Sequence, residues 1–191
     1  MELILASQSP RRRELLGLIA ADFSVCPTDI DETMNADLPM CGQVADLSAR
    51  KACAVAAANP GAAVVGSDTV VVLDGVPLGK PADEADAKRM LSALSGRAHE
   101  VVTGVALALP DGSVLQDATV TKVRFAPMTA AEIDWYIASR EPMDKAGAYG
   151  IQDLGSLLVE GIEGDYFNVV GLPVCKLGKL LKEKFSLDLL I

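Results

Sequence analysis

Four short runs carry side chains whose types and spacing could do chemistry. Asp68 stands inside Ala62-Ala63-Val64-Val65-Gly66-Ser67-Asp68-Thr69-Val70-Val71-Val72-Leu73, an apolar, β-branched run. A carboxylate is expensive to bury there alone, so Asp68 is bonded by backbone amides at a bulge, bound to a metal, or catalytic. It is the best single catalytic candidate. Pro27-Thr28-Asp29-Ile30-Asp31-Glu32-Thr33 has neither a helical nor a strand period and places three carboxylates in four positions. Those groups are either solvated or ligate a hard divalent cation through oxygen. Ser7-Gln8-Ser9-Pro10-Arg11-Arg12-Arg13 sets hydroxyls and guanidinium groups at the start of a helix. The helix dipole disfavours each cation there by roughly 0.3–1 kcal/mol at a surface. The run is therefore either three solvated arginines or a phosphate-binding element, in which backbone N–H groups and guanidinium forks face one anion. Lys80, in Leu78-Gly79-Lys80-Pro81, either reaches a phosphate from an exposed turn or is solvated.

The elements that position these groups follow from pattern. Leu3 to Ala6 is a short buried strand. Ser9 suits the N-cap and Pro10 the first position of a helix that buries Leu15, Leu16 and Ile19. Arg11 and Arg12 precede Leu15 and Leu16 by one helical turn and lean to the buried side, whereas Arg13 points elsewhere. Phe23 to Cys26 is a second strand. Gly42 to Asn59 is an alanine-rich amphipathic helix stopped by Pro60-Gly61, with Lys51 read as a surface lysine. Ala62 to Leu73 is a long strand ending at an Asp74-Gly75 hairpin turn. A helix opens at Asp83 and closes at Ser95-Gly96. His99 to Leu109 and Ser113 to Phe125 are antiparallel strands around Pro110-Asp111-Gly112, with His99 structural at a strand start. Thr129-Ala130-Ala131-Glu132 is a capping box whose helix runs to about Arg140. Asp144 to Asp153 is a glycine-punctuated loop that lets backbone approach a ligand. Leu154 to Gly161 reads as a strand and Glu163-Gly164-Asp165 as a turn. Pro173 opens a last helix with Val174, Leu177, Leu180 and Leu181 on one face.

Bulk properties narrow the partners. Half of the 191 residues are apolar, enough for a sizeable core. A net charge of -9 argues against duplex nucleic acid or an anionic membrane as the main partner, but not against a small phosphate ligand. Cys26, Cys41, Cys53 and Cys175 lack C-x-x-C spacing, and with His99 as the one histidine no zinc constellation is expected. The four thiols are read as buried or half-buried in a reducing compartment. The N-terminus runs into a strand pattern without signal-peptide features, and no apolar run approaches a membrane span. A cytoplasmic, soluble protein is expected.

Several motifs occur in a fixed order along nearly the whole chain. They are Ser7-Gln8-Ser9-Pro10-Arg11-Arg12, Asp31-Glu32, Ser67-Asp68-Thr69, Gly79-Lys80-Pro81, Leu94-Ser95-Gly96, Thr103-Gly104-Val105, Asp144-Lys145-Ala146-Gly147 and Asn168-Val169-Val170-Gly171-Leu172-Pro173. In these the chain resembles the Maf family of nucleoside triphosphate pyrophosphatases, related in fold to the inosine triphosphatases. The resemblance implies an α/β fold, an elongated mixed β-sheet with flanking helices in two lobes around a nucleotide cleft. It implies one domain over residues 1–191 and, as in many members, a homodimer. The implied reaction is hydrolysis of a nucleoside triphosphate between the α and β phosphates, with a divalent cation such as Mg or Mn. By resemblance Asp68 is the general base or water activator, and Glu32 and Asp68 ligate the metal. Ser7, Ser9, Arg11, Arg12, Lys51 and Lys80 hold the phosphates. Arg11, Arg12, Thr69 and Gln152 fall at specificity positions. A subfamily that prefers 7-methyl-GTP tends to carry Trp, Gln and Glu where this chain has Arg11, Thr69 and Gln152, so the resemblance is to the dTTP/UTP group. Arg50 is a departure, since many members carry Glu there. The competing class is a regulatory, septum-inhibition type protein that binds nucleotide without turnover. A phosphotransferase lacks support, because there is no Walker-type loop.

Overall fold

The computed structural model describes residues 2–184; Met1 and residues 185–191 of the expected domain lie outside the described residues. Leu3–Leu5 forms β1, which pairs in parallel with Ser24–Val25 (β2) on one side and Ala63–Leu73 (β3) on the other. A strand between parallel neighbours is covered on both faces, which explains why an uninterrupted apolar run fills it and all three side chains are buried. Among the described residues the sheet has seven strands in the order β2-β1-β3-β5-β6-β7, with β4 on β3. Here β4 is Val76–Leu78, β5 Ala98–Ala108, β6 Val114–Phe125 and β7 Val159–Glu163. The β3–β4 and β6–β7 pairs are antiparallel, so the sheet is mixed, as the sequence leads one to expect.

The chain forms two compact units, and β3, β5 and β6 contribute residues to both. The first holds the described residues up to Asp68, Thr103–Thr119 and those from Gly171. Its α1 (Pro10–Leu16) starts as expected: the Ser9 hydroxyl caps the Arg12 N–H, and Pro10 takes the first position. Leu15 and Leu16 are buried, Arg13 is exposed, and Arg11 and Arg12 are half-buried. Helix α2 (Met40–Ala58) packs onto β3 and β5 over a core that includes Ile4, Ala52, Val55, Val64 and Ala106. Its backbone sits directly on two glycines. A Cβ at Gly66 would lie 2.1 Å from the Ser48 carbonyl oxygen, and one at Gly104 would lie 2.3 Å from that of Val44. Alanines on α2 and bare backbone on the strands together allow this approach. The last helix, α6 (Val174–Lys184), buries Leu177 and Leu181 and half-buries Val174 and Leu180.

The second unit comprises Thr69–Val102 and Val120–Val170. Helices α3 (Glu84–Leu94) and α4 (Ala130–Ala138) close a core of Leu91, Leu94, Val123, Phe125, Tyr136 and Tyr149. Asp83 caps α3, and Thr129 with Glu132 forms the expected capping box on α4. His99 is buried, with Nε2 2.7 Å from the Tyr149 hydroxyl and its ring edge-on to Phe125. Burial pulls its pKa down from 6.5 to about 4.

Three sequence readings are corrected here. The Leu154–Gly161 strand is instead a 3-10 turn, Asp153–Leu158, followed by β7. The reason is a side chain: the Glu141 carboxylate accepts the N–H groups of Leu154 (3.1 Å) and Gly155 (3.0 Å), which a strand would have offered to a neighbour. A short helix α5 (Tyr166–Val170) stands where no element was read, since five residues carry no measurable period. Cys41, Cys53 and Cys175 are exposed and only Cys26 is half-buried, so the thiols are not core residues. In an alanine-rich helix both faces look apolar, and Cys53 falls beside exposed Ala54 rather than on the seated face.

Two outcomes follow from this packing. Gly104→Ala should destabilise the chain by about 3 kcal/mol, measured by urea unfolding, because rigid backbone rather than a flexible side chain meets the added methyl. His99 is neutral when folded, and the unfolded chain binds the extra proton between about pH 6.5 and 4. Its contribution is therefore complete above that window and is lost as pH falls through it. The total is about 3 kcal/mol, and this component should appear as the pH-dependent difference in stability between wild type and His99→Asn, which lacks the titrating group.

Candidate active site

The seating of α2 on Gly66 determines where Lys51 goes. Lys51 precedes Ala52, whose N–H would lie 2.9 Å from a Cβ at Gly66, and Asp68 follows Gly66 by two residues along β3. Lys51 Nζ lies 2.6 Å from Asp68 Oδ1 and 2.8 Å from Glu32 Oε1. Side-chain exposure is 9% for Lys51, 14% for Asp68 and 63% for Glu32, so the Asp68 pair is desolvated and the Glu32 pair faces water. The surface reading of Lys51 is thus overturned. Its charge is compensated by carboxylates far from it in sequence, which a helical pattern cannot reveal.

Arg12 enters the same cluster from α1. Its Nε donates to the Gly171 carbonyl oxygen at 2.9 Å. The buried Ser67 hydroxyl donates to Gly104 O at 2.8 Å, with Gly171 O at 3.2 Å. Burial holds the Arg12 pKa below its ordinary value and Arg11 adds to that, while Asp68 and Glu32 act in the opposite sense. A guanidinium remains charged under such a shift. Ser7 and Ser9 shape the turn before α1: Ser7 Oγ accepts the Ser9 N–H at 3.1 Å, and Ser9 Oγ accepts the Arg12 N–H. Sequence reasoning did not assign Ser67 or Gly171 a part in fixing Arg12, although both stood inside quoted motifs.

Thr69, Lys80 and Gln152 belong to the second unit. Thr69 is half-buried directly after Asp68, and Lys80 is exposed in its turn, as read from the sequence. That turn is tied to the Asp144–Asp153 segment by a bond from Gly147 N–H to Gly79 O at 3.0 Å. Gly147 has φ +67°, and a Cβ there would lie 2.8 Å from the Val71 side chain. Gln152 is half-buried at the entry to the Asp153 turn.

Among the described residues no three His, Cys, Asp or Glu groups cluster closely enough to hold a metal by themselves. Glu32 and Asp68 nevertheless aim one carboxylate oxygen each at a common point, marked by the Lys51 ammonium. Such a donor pair fits Mg or Mn held by one or two carboxylates, with water and substrate phosphates filling the other positions.

A family model described as Maf-like protein matches residues 2–184. The chain belongs to the Maf family. Curated relatives named dTTP/UTP pyrophosphatase are close over most of its length. The one from Symbiobacterium thermophilum is 50% identical over 183 residues, covering 95% of this chain and 93% of its own. The one from Moorella thermoacetica is 51% identical over 181 residues, covering 94% and 93%. That from Bacillus velezensis is 49% identical over 181 residues, covering 95% of each. Among solved structures, a HAM1 protein from Coxiella burnetii superposes with a TM-score of 0.54 at 18% identity, over 96% of this chain and 99% of that one. The Staphylococcus aureus Ham1 protein does so at 0.51 and 19%, over 66% and 72%. At such identities these structures speak to the fold alone. No helix among the described residues is long and apolar enough to cross a membrane.

The exposures rank the two ion pairs of this Maf protein. In double-mutant cycles on unfolding, Lys51→Met with Asp68→Asn should show a coupling of about 2 kcal/mol or more, and Lys51→Met with Glu32→Gln at most about 1 kcal/mol. Equal couplings would mean that Asp68 is as solvated as Glu32.

Proposed function

We propose that this Maf family protein is a nucleoside triphosphate pyrophosphatase that cleaves between the α and β phosphates, releasing a monophosphate and pyrophosphate, with dTTP and UTP as preferred substrates. The observation that carries the reading is the mixed-sign cluster of Lys51, Asp68 and Glu32 beside Arg12. Its relatives' names support the substrate class.

In this reading Arg11, Arg12 and Lys80 neutralise the triphosphate, and the hydroxyls of Ser7 and Ser9 shape the turn that meets it. Lys51 orients the Asp68 carboxylate and adds positive charge toward the phosphates. Asp68 accepts a proton from the attacking water at a carboxylate oxygen. Glu32 and Asp68 would hold the divalent cation, Mg or Mn, which when bound neutralises phosphate oxygens and acidifies water. Thr69 and Gln152, with Arg11 and Arg12, read the base. The proposal takes residues 1–191 as one functional domain, working as a cytoplasmic homodimer.

The test is pyrophosphate release from a panel of dTTP, UTP, modified pyrimidine triphosphates and 7-methyl-GTP. Turnover should favour dTTP and UTP. Asp68→Asn should lose about 100-fold or more in kcat while unfolding cooperatively like the wild type. Retained turnover would remove Asp68 from the chemistry, and nucleotide binding without any pyrophosphate would favour the regulatory class.

A further inference from the structure

Arg50 precedes Lys51 on α2, and its guanidinium makes three directed bonds. Nε donates to Asp46 Oδ2 one helical turn back, at 3.0 Å. Nη1 donates to the carbonyl oxygen of Asp31 and Nη2 to that of Thr33, both at 2.7 Å. Those two carbonyls flank Glu32. Residues 26–35 form neither helix nor strand. Hydrogen bonds inside the segment are short-range, such as Thr33 N–H and Oγ1 onto Asp31 Oδ1 at 2.9 and 2.6 Å. Glu32 is 63% exposed, so burial does not fix it.

We infer that Arg50 is a positioning residue: it clamps the backbone on both sides of Glu32 and thereby sets that carboxylate beside Asp68 on the Lys51 ammonium. The two neighbouring cations of α2 divide the work. Arg50 takes the loop's main chain, and Lys51 takes its side chain. The planar fork suits this task, because Asp46 holds one edge and the two Nη groups span carbonyls two residues apart. A lysine has three donors on one point charge and no planar fork, so it does not reproduce the three separately directed bonds to Asp46, Asp31 O and Thr33 O. With the loop already ordered, a divalent cation reaching Glu32 does not have to supply the ordering entropy itself.

The inference rests on the reading of Glu32 as a cation ligand, and the experiment separates the two. Amide hydrogen exchange across residues 28–36 is measured in the free protein for wild type, Arg50→Ala and Arg50→Lys. The Mn2+ concentration that half-activates pyrophosphate release is measured for the same proteins and for Glu32→Gln. Both Arg50 variants should exchange faster at the loop amides and need about 10- to 100-fold more Mn2+. Their kcat at saturating Mn2+ should stay near wild type, the split that a general loss of fold would not produce. Wild-type exchange, or faster exchange with an unchanged Mn2+ requirement, would overturn the positioning role. An unchanged requirement in Glu32→Gln would overturn the ligand reading instead, whatever the Arg50 variants do.

Discussion

Helix α2 lies so close to β3 and β5 that neither Gly66 nor Gly104 has room for a methyl group, and the charged cluster of the first unit depends on that contact. Close seating alone would only make a tight core. Here it also fixes the height of Lys51 over the strand that carries Asp68. A helix displaced by the width of a methyl would move the ammonium out of the 2.6 Å pair and strand a carboxylate in an apolar sheet. The small side chains of α2 are therefore part of the site. Ala49 and Ala52, close to Lys51 in sequence, are both buried in the core that seats the helix.

Burial then grades the charges that this geometry gathers. Asp68 and Lys51 are both largely withdrawn from water, so their pairing is the strong one, and removal of either partner leaves a costly charge behind. Glu32 keeps most of its hydration and is held through its backbone as much as through its side chain. Arg12 is half-buried, and its Nε bond to the Gly171 carbonyl oxygen gives its guanidinium a main-chain anchor. A cluster that is rigid at Asp68 and more exposed at Glu32 suits a site that must admit a charged ligand on its wet side.

What could be read from sequence divides along the same physical line. The Ser9 cap, the capping box at Thr129, the apolar runs of β1 and β3 and the misfit carboxylate at Asp68 are local signals, and each stands in the structure where it was read. Lys51 failed because its compensation comes from 17 and 19 residues away. The Leu154–Gly161 strand failed because a carboxylate at Glu141 diverted two amides. Cys53 failed because alanine hides the buried face of helix α2. Arg50 had been visible only as a departure from a family pattern, and its role needed the loop that it touches. The motif order carried the family; the pairings had to come from the fold.

The second unit solves a related problem with strain. Arg140, Ala148 and Asp153 all hold positive φ without being glycine, each at a cost of about 1 kcal/mol or more. They punctuate the segment that ends at Gln152 and its turn. Glu141 offsets that cost: one carboxylate takes the Tyr136 hydroxyl at 2.9 Å and the amides of Leu154 and Gly155, and the same hydroxyl accepts the Gly150 N–H at 3.2 Å. Gly155 has no space for a side chain beside Gly150 O, so the loop closes on itself without slack. Gln152 stands at the entry to that turn, so its backbone is held where the loop closes. Strained backbone and a half-buried carboxylate thus fix the backbone at Gln152, as the two glycines and α2 fix Lys51 over Asp68.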